Sequence, residues 1–306
     1  MNKVIRIGTR DSQLALWQAR TVEHQLQALG YKTQLVPVNS AGDLKLDTPL
    51  YELGITGLFT KTLDVAMLNN TVDIAVHSLK DVPTALPKGI VQAAVLKRAS
   101  TLDILATKET FDHTKPCTIA TGSLRRKAQW LYKYPNHIVV DLRGNVNTRL
   151  QKLQGNSWQG AIFAKAGLER IDVLPKRYTP LDWMTPAPAQ GAMTIVALEE
   201  DTFCIEAAQK LNDTPSQICT QIERDFLRTL EGGCTAPIGA LAKIEGDTIQ
   251  FKGCLLSLDG TKKIAIEKTI SLQLSNKAGE AIAKELLQKG GEVLPVSYTH
   301  LRAHET

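Results

Sequence analysis

Arginine recurs where this sequence turns from an extended run into a helical one. Arg10 follows an alternating run at the N-terminus, and Arg125 and Arg126 come straight after Gly122-Ser123-Leu124. Arg143 and Arg149 bracket Gly144-Asn145-Val146-Asn147-Thr148, and Arg170 follows shortly after Ala166-Gly167-Leu168. Taken singly, each is an ordinary helix-end residue in water. Taken together, they suit an anion with several negative groups. Helix N-termini offer free N–H groups and a positive dipole, and guanidinium adds a planar fork that matches carboxylate or phosphate. Ser12, Thr121 and Ser123 supply hydroxyls nearby. The sign reverses at His77-Ser78-Leu79-Lys80-Asp81-Val82-Pro83, where Asp81 is the one acid expected among these cations. It could cap a helix or pair with Lys80. It could also hold an N–H group or stabilise a developing positive charge. A third kind of chemistry belongs to Cys234, in Glu231-Gly232-Gly233-Cys234-Thr235-Ala236-Pro237. Two glycines end a helix and Pro237 prevents its continuation, so the thiol sits where a large attached group could fit. On this segment alone, a helix stop with a buried thiol is the better account of the pattern.

The elements that must carry these residues follow from periodicity. Residues 3–8 alternate as a strand, and Asp11 or Ser12 caps a helix whose apolar stripe is Ala15, Ala19, Val22, Leu26 and Leu29. A strand over Thr33–Val38, a helix over Gly57–Leu68 and a strand over Asp73–His77 continue the alternation. It restarts near residue 100 with strands at Thr118–Ala120, Ile138–Leu142 and Gly160–Ala164, and helices at Ser123–Tyr134 and Asn145–Gln154. Such alternation predicts parallel sheets with covered faces. Thr185–Pro188 is a proline-rich switch, followed by a strand over Ala192–Leu198 and a helix over Phe203–Leu211. The expected fold class is α/β: two periplasmic-binding-protein-like lobes with a cleft between them, plus a small α+β C-terminal domain. Lobe 1 takes residues 1–98 plus 193–213, lobe 2 takes 99–192, and the third domain takes 214–294. In the third domain a helix over Ser216–Leu230 leads to strands at Ile238–Ile244, Thr248–Leu255 and Lys262–Ile270, and to a closing helix at Lys277–Gln288. Residues 295–306 have no periodicity and read as a non-native tail.

Composition narrows the function classes. The chain has 306 residues, 43% hydrophobic and 22% charged, as a globular protein has. Aromatic content of 5% argues against a stacking platform for single-stranded nucleic acid. The net charge of +5 is mild, and the basic residues are dispersed among turns, so no nucleic-acid partner is expected. Five cysteines without a CxxC pair suggest neither a disulfide framework nor a zinc site, and no metal is expected. There is no Walker-type phosphate loop. No signal peptide or membrane span is apparent, so a cytoplasmic protein without membrane contact is expected, and nothing in the sequence suggests an extensive self-association surface, so a monomer is expected.

Several segments occur in an order that resembles the porphobilinogen deaminase family, also called hydroxymethylbilane synthases. They are Gly8-Thr9-Arg10-Asp11-Ser12-Gln13-Leu14-Ala15, Val76-His77-Ser78-Leu79-Lys80-Asp81-Val82-Pro83, Gly122-Ser123-Leu124-Arg125-Arg126, Leu142-Arg143-Gly144-Asn145-Val146-Asn147-Thr148-Arg149-Leu150, Gln190-Gly191-Ala192 and Leu230-Glu231-Gly232-Gly233-Cys234. The resemblance implies a tetrapyrrole-pathway enzyme that joins four porphobilinogen molecules head to tail, releases ammonia at each step, and frees linear hydroxymethylbilane with water. It implies a self-assembled dipyrromethane cofactor held through a thioether, here by Cys234, and a catalytic aspartate, here Asp81. It assigns cofactor contacts to Ser78, Lys80, Asp81, Thr121, Ser123, Arg125, Arg126, Arg143, Gln190 and Gly191. It assigns substrate contacts to Arg10, Ser12, Arg143, Arg149 and Arg170. Some positions depart from the family pattern: Gly122 stands where a serine is common, Thr56 where a lysine is common, and Ala189 where a glycine is common. The competing expectation is a two-lobe protein that binds a small anion without chemistry.

Overall fold

Ser12 starts the first helix by accepting a hydrogen bond from the Ala15 amide at 3.4 Å, and the apolar stripe then falls on one buried face. The computed structural model describes residues 3–38, 60–230 and 237–291. The chain begins with β1 (Val4–Thr9), α1 (Gln13–Ala28), β2 (Lys32–Pro37), α2 (Lys61–Leu68), β3 (Ile74–Ser78) and β4 (Ile90–Val95). It continues through β5 (Asp103–Thr107), β6 (Thr118–Ala120), α3 (Leu124–Lys133), β7 (Ile138–Val140), α4 (Val146–Gly155), β8 (Gly160–Ala164), α5 (Lys165–Arg170) and β9 (Tyr178–Pro180). Then come β10 (Met193–Leu198), α6 (Thr202–Gln209), α7 (Thr214–Thr229), β11 (Ile238–Glu245), β12 (Thr248–Leu256), β13 (Lys263–Ser271) and α8 (Ala278–Gln288).

Two five-stranded sheets share one plan. Their orders are β2-β1-β3-β10-β4 and β7-β6-β8-β5-β9, so in each the second strand from one edge is supplied from across the molecule. Here the predicted all-parallel sheets are corrected. β10 runs antiparallel to β3 and β4, and β5 runs antiparallel to β8 and β9. The physical reason is connectivity. Each of these strands enters directly from the other lobe rather than through a crossover helix, so nothing requires it to run parallel. β4, β5, β9 and α5 were also not predicted. They are short segments in which periodicity does not separate strand from helix.

Both faces of the first sheet are covered. Ile5, Ile7, Ile74 and Val76 pack with Val22 and Leu26 of α1 and Ala207 of α6, while Ala75 and Val196 face Leu63 and Met67 of α2. Each large aliphatic side chain so buried contributes about 1.5–3 kcal/mol. The second sheet is likewise enclosed, by Leu153 and Leu168 on one face and Trp130 and Met184 on the other. The third unit is the antiparallel sheet β11-β12-β13 with α7 and α8, built on Phe226, Phe251, Ile249, Ile282 and Leu286. Among the described residues no helix is long and apolar enough to cross a membrane.

The lobes are joined by two crossings, residues 96–102 and 181–192. They lie against each other: Leu96 N–H donates to Met193 O, and Ala99 N–H to Gly191 O. Gly191 has φ +87°, and a Cβ there would lie 2.6 Å from the Ser100 carbonyl. The left-handed backbone and the close approach both require glycine.

Candidate active site

The acid predicted to work among cations sits at the end of a buried strand. β3 stops at Ser78, whose hydroxyl accepts from the Gln18 amide at 2.7 Å. The next residues, Leu79–Asp81, form one 3-10 turn, closed by Val82 N–H onto Leu79 O at 3.2 Å. Leu79 is fully buried and its N–H donates to Ala192 O at the end of the second crossing. Lys80 donates to Gln190 Oε1 at 3.3 Å. Burial, and then the nearby Arg126, push the Lys80 ammonium down to about 8, against the pull of Asp81 and Asp103. Asp81 itself is half-buried, and among the described residues its carboxylate accepts no hydrogen bond.

The second lobe brings its arginines to the same place. Ser123 caps α3 by accepting from Arg126 N–H, and Thr121 Oγ1 in turn accepts from Ser123 N–H. Those two hydroxyls, expected at a ligand, therefore shape the helix entrance. Arg126 directs Nε and Nη2 to Asp103 Oδ1 at 3.1 and 2.8 Å and Nη1 to Ile162 O. Arg125 forms an ion pair with Asp103 Oδ2 at 2.8 Å and donates to Thr185 O. Gln190 adds its amide N–H to Asp103 Oδ1 at 2.9 Å. Burial alone would raise the Asp103 carboxyl. The two guanidiniums overrule it and hold the group well below the usual carboxylate range. The expectation of a single acid among the cleft cations is thus corrected: Asp103 is a second, fully buried one. Sequence reading missed it because an aspartate at the start of a strand carries no distinguishing pattern.

Arg143 is buried at the end of the Leu142-Arg143-Gly144 turn, and Arg149, on the first turns of α4, donates Nε to Gly144 O at 2.7 Å. Burial first, then Arg126 and Arg143, push Arg149 down to about 10, with Asp81 opposing. Asp81 also supports the charged form of Arg126. The carboxylate therefore acts electrostatically on Lys80 from its own lobe and on Arg126 and Arg149 from the other. These charges come from strand ends of both lobes, which meet across them.

Other expected residues fall around this cluster. Arg10 is half-buried, and its charge helps burial push His77 down to about 4, which keeps that imidazole neutral. Ser12 is occupied as the α1 cap. Arg170 ends α5, donates to Gly191 O at 2.7 Å and stacks 5.7 Å from the Trp17 ring of α1, so it ties the second lobe to a crossing and to the first lobe. A second link between the lobes runs from Asn147 of α4, which donates to Gln13 Oε1 of α1 at 2.7 Å. Gln190 is fully buried and links both crossings to the site through Thr101 O, Asp103 and Lys80. Cys234, expected as the anchor, and the departure at Thr56 lie outside the described residues. Two other departures have physical accounts. A Cβ on Gly122 would lie 2.5 Å from Leu142 O, so a serine there would require this turn to shift. Ala189 has φ +62°, a conformation that glycine enters without cost.

Helix α7 supplies the residues that sequence reading overlooked. Its apolar face, Cys219, Ile222 and Phe226, packs into the third core. A second face, Ser216, Thr220, Glu223 and Arg224, is also buried. Polar residues at helical spacing beside an apolar stripe were the available signal. Glu223 accepts from Arg98 Nη1 and Nη2 on the first crossing, from Ala189 N–H on the second and from Ala242 N–H of β11. Arg224 Nη1 donates to Leu79 O and Val82 O, and Nη2 to Pro83 O.

The cluster can be tested against the dipyrromethane expected from the sequence. That group carries an acetate and a propionate on each ring, hence four carboxylates. Lys80, Arg125, Arg126, Arg143 and Arg149 are opposed by Asp81, by Asp103 and, at Arg143, by Asp141, which still leaves a cationic excess. The buried Arg125 Nε–H has no hydrogen-bond partner in the protein, a donor that a ligand oxygen would satisfy. The residues present fit the group.

Comparison with known proteins agrees. Residues 5–206 match the family described as porphobilinogen deaminase, dipyromethane cofactor binding domain, and residues 217–288 match the porphobilinogen deaminase C-terminal domain. The chain is 40% identical over 298 residues to a porphobilinogen deaminase of Campylobacter hominis, covering 95% of this chain and 96% of that one. It is 37% identical over 297 residues to one from Syntrophomonas wolfei (95% and 97% covered) and 40% identical over 296 residues to one from Nitratiruptor (95% of each). With both lobes and the C-terminal unit matched, the chain belongs to the porphobilinogen deaminase family, enzymes with a dipyrromethane cofactor domain.

Proposed function

We propose that this chain is a transferase that joins four porphobilinogen molecules head to tail, releases one ammonia from each, and frees linear hydroxymethylbilane with water. The observation that carries this reading is the position of Asp81. It is an accessible carboxylate set among Lys80, Arg126 and Arg149, at the meeting of two lobes. Porphobilinogen is anionic at its carboxylates and becomes cationic at its reacting carbon as ammonia leaves. The arginines bind the first kind of charge, and Asp81 stabilises the second and holds pyrrole N–H groups.

Held by Cys234 and by Ser78, Lys80, Arg125, Arg126 and Arg143, the dipyrromethane would supply the nucleophilic pyrrole carbon that primes chain growth. Thr121 and Ser123 set the entrance of α3 so that Arg125 and Arg126 keep their aim. Gln190 and Gly191 hold the crossings beside Lys80. Arg10, Ser12, Arg143, Arg149 and Arg170 take the carboxylates of incoming substrate. No protein nucleophile is consumed at each turn. The expected setting is a monomer in the cytoplasm. The described cysteines, all buried and none in a disulfide, suit such a reducing compartment.

Intact-mass measurement of purified protein tests the assignment. An adduct of two pyrrole units is expected, mapping to the peptide that holds Cys234. An unmodified Cys234 in protein that turns over porphobilinogen would remove the anchor.

A further inference from the structure

The turn that presents Asp81 is held by a side chain from a different domain. Leu79, Val82 and Pro83 offer three backbone carbonyls to one guanidinium, Arg224, at 3.3, 2.9 and 2.6 Å. Leu79 and Val82 are buried, Pro83 is half-buried, and Arg224 is 9% exposed. The short turn cannot satisfy these carbonyls itself. Leu79 O already receives the one N–H that closes it, from Val82, and Pro83 follows at once and has no N–H. The N-terminal side of the turn is fixed by Leu79 N–H on Ala192 O. The turn is therefore gripped at one end by the second crossing and along its length by α7. Neither grip touches the Asp81 carboxylate.

Helix α7 is itself pinned. Ser216 Oγ accepts from Arg98 N–H at 2.9 Å, and Glu223, adjacent to Arg224, binds both crossings. In the sequence, α7 leads through Leu230, Glu231, Gly232 and Gly233 to Cys234. One helix thus contacts the turn of the acid and precedes the anchor cysteine.

We propose that Arg224 is a positioning residue for catalysis, fixing the backbone of the Leu79–Pro83 turn so that Asp81 faces the reacting centre. This rests on the reading of Asp81 as the catalytic carboxylate. A carboxylate on a turn without that anchor samples positions off the productive geometry, and misplacement of about 1 Å can cost about a hundredfold in rate. The effect falls on kcat, because the arginines that bind substrate lie on other elements.

The test uses holoenzyme with cofactor attachment confirmed by mass. Arg224→Met keeps the stem and removes every donor, while Arg224→Lys restores a single donor group. We expect kcat to fall about a hundredfold in Arg224→Met with KM within about threefold of wild type, and to recover partly in Arg224→Lys. Asp81→Asn is made alone and combined with each Arg224 variant, and residual rates are read in single turnover. If Arg224 acts through Asp81, its substitution costs little more once the carboxylate is gone. Undiminished kcat in Arg224→Lys and Arg224→Met, or full loss repeated on top of Asp81→Asn, overturns the proposal and leaves Asp81 in place. Should Arg224→Met not fold, the Lys variant and its double mutant decide by the same criterion. Near-normal turnover in Asp81→Asn alone would instead overturn the site reading, and the positioning role with it.

Discussion

Arg98 and Glu223 form a two-pronged ion pair, at 2.7 and 2.8 Å, between the first interlobe crossing and helix α7 of the third domain. The glutamate is fully buried and also receives Ala189 N–H from the second crossing. A single carboxylate therefore fastens both connections between the lobes to the domain whose first helix is α7.

Removing that carboxylate leaves a buried guanidinium without compensation. Glu223→Gln is expected to cost about 3 kcal/mol of stability, measured as a fall in the urea midpoint. Arg98→Ala should cost a similar amount, and the double variant less than the two combined, because neither then strands a charge.

Asp103 predicts a specific acid sensitivity. Its folded carboxyl lies below the usual range, whereas in the unfolded chain it titrates near pH ~4. Between those values the unfolded chain binds a proton that the native protein does not. The stabilisation is complete above about pH 4 and is lost as pH falls toward the folded value. Asp103→Asn should be less stable at neutral pH and should show a shallower loss of stability below about pH 4, read from urea melts across that range.

Catalysis and stability should separate at the two acids. Asp81→Asn removes a half-exposed carboxylate and is expected to lower turnover about a thousandfold while changing stability by less than about 1 kcal/mol. Steady-state kinetics and thermal melts on one preparation check both halves. A large loss of stability without loss of turnover would reverse the roles given to Asp81 and Asp103.

Two glycines with the same backbone hand provide a measure of the hinge packing. Gly246 has φ +60° and open space around it, so Gly246→Ala should cost only the left-handed strain, about 1 kcal/mol. Gly191→Ala adds a methyl 2.6 Å from Ser100 O and should cost about 3 kcal/mol or more. Denaturant unfolding of the pair isolates the contact between the crossings.

Much of the architecture was legible along the chain. The strands at Thr118–Ala120 and Gly160–Ala164 fall where periodicity put them, and the helices carrying Arg126 and Arg149 begin within a residue of the predicted starts. Local signals suffice there: Ser123 and Asn145 cap their helices with their own side chains. Strand direction was not legible at β5 and β10. Direction depends on which strand already occupies the neighbouring place in the sheet, and that is set far away in sequence.

Residue types along the chain set the supply of chemistry: cations at strand ends, one acid after a buried strand, and a cysteine in a glycine hinge. Residue type and spacing fix these, because caps, turns and charge are local properties. How that supply is divided depends on contacts made when the lobes and the third domain pack together. That packing commits Arg125 and Arg126 to Asp103, which the sequence left unmarked, and leaves Asp81 open between Lys80 and Arg149. It also gives Glu223 and Arg224, unremarkable positions on an amphipathic helix, to the hinge and to the turn of the acid. The Glu223 and Arg224 contacts join residues more than a hundred positions apart, and burial makes them strong. A charge withdrawn from water must find its partner wherever the fold brings one.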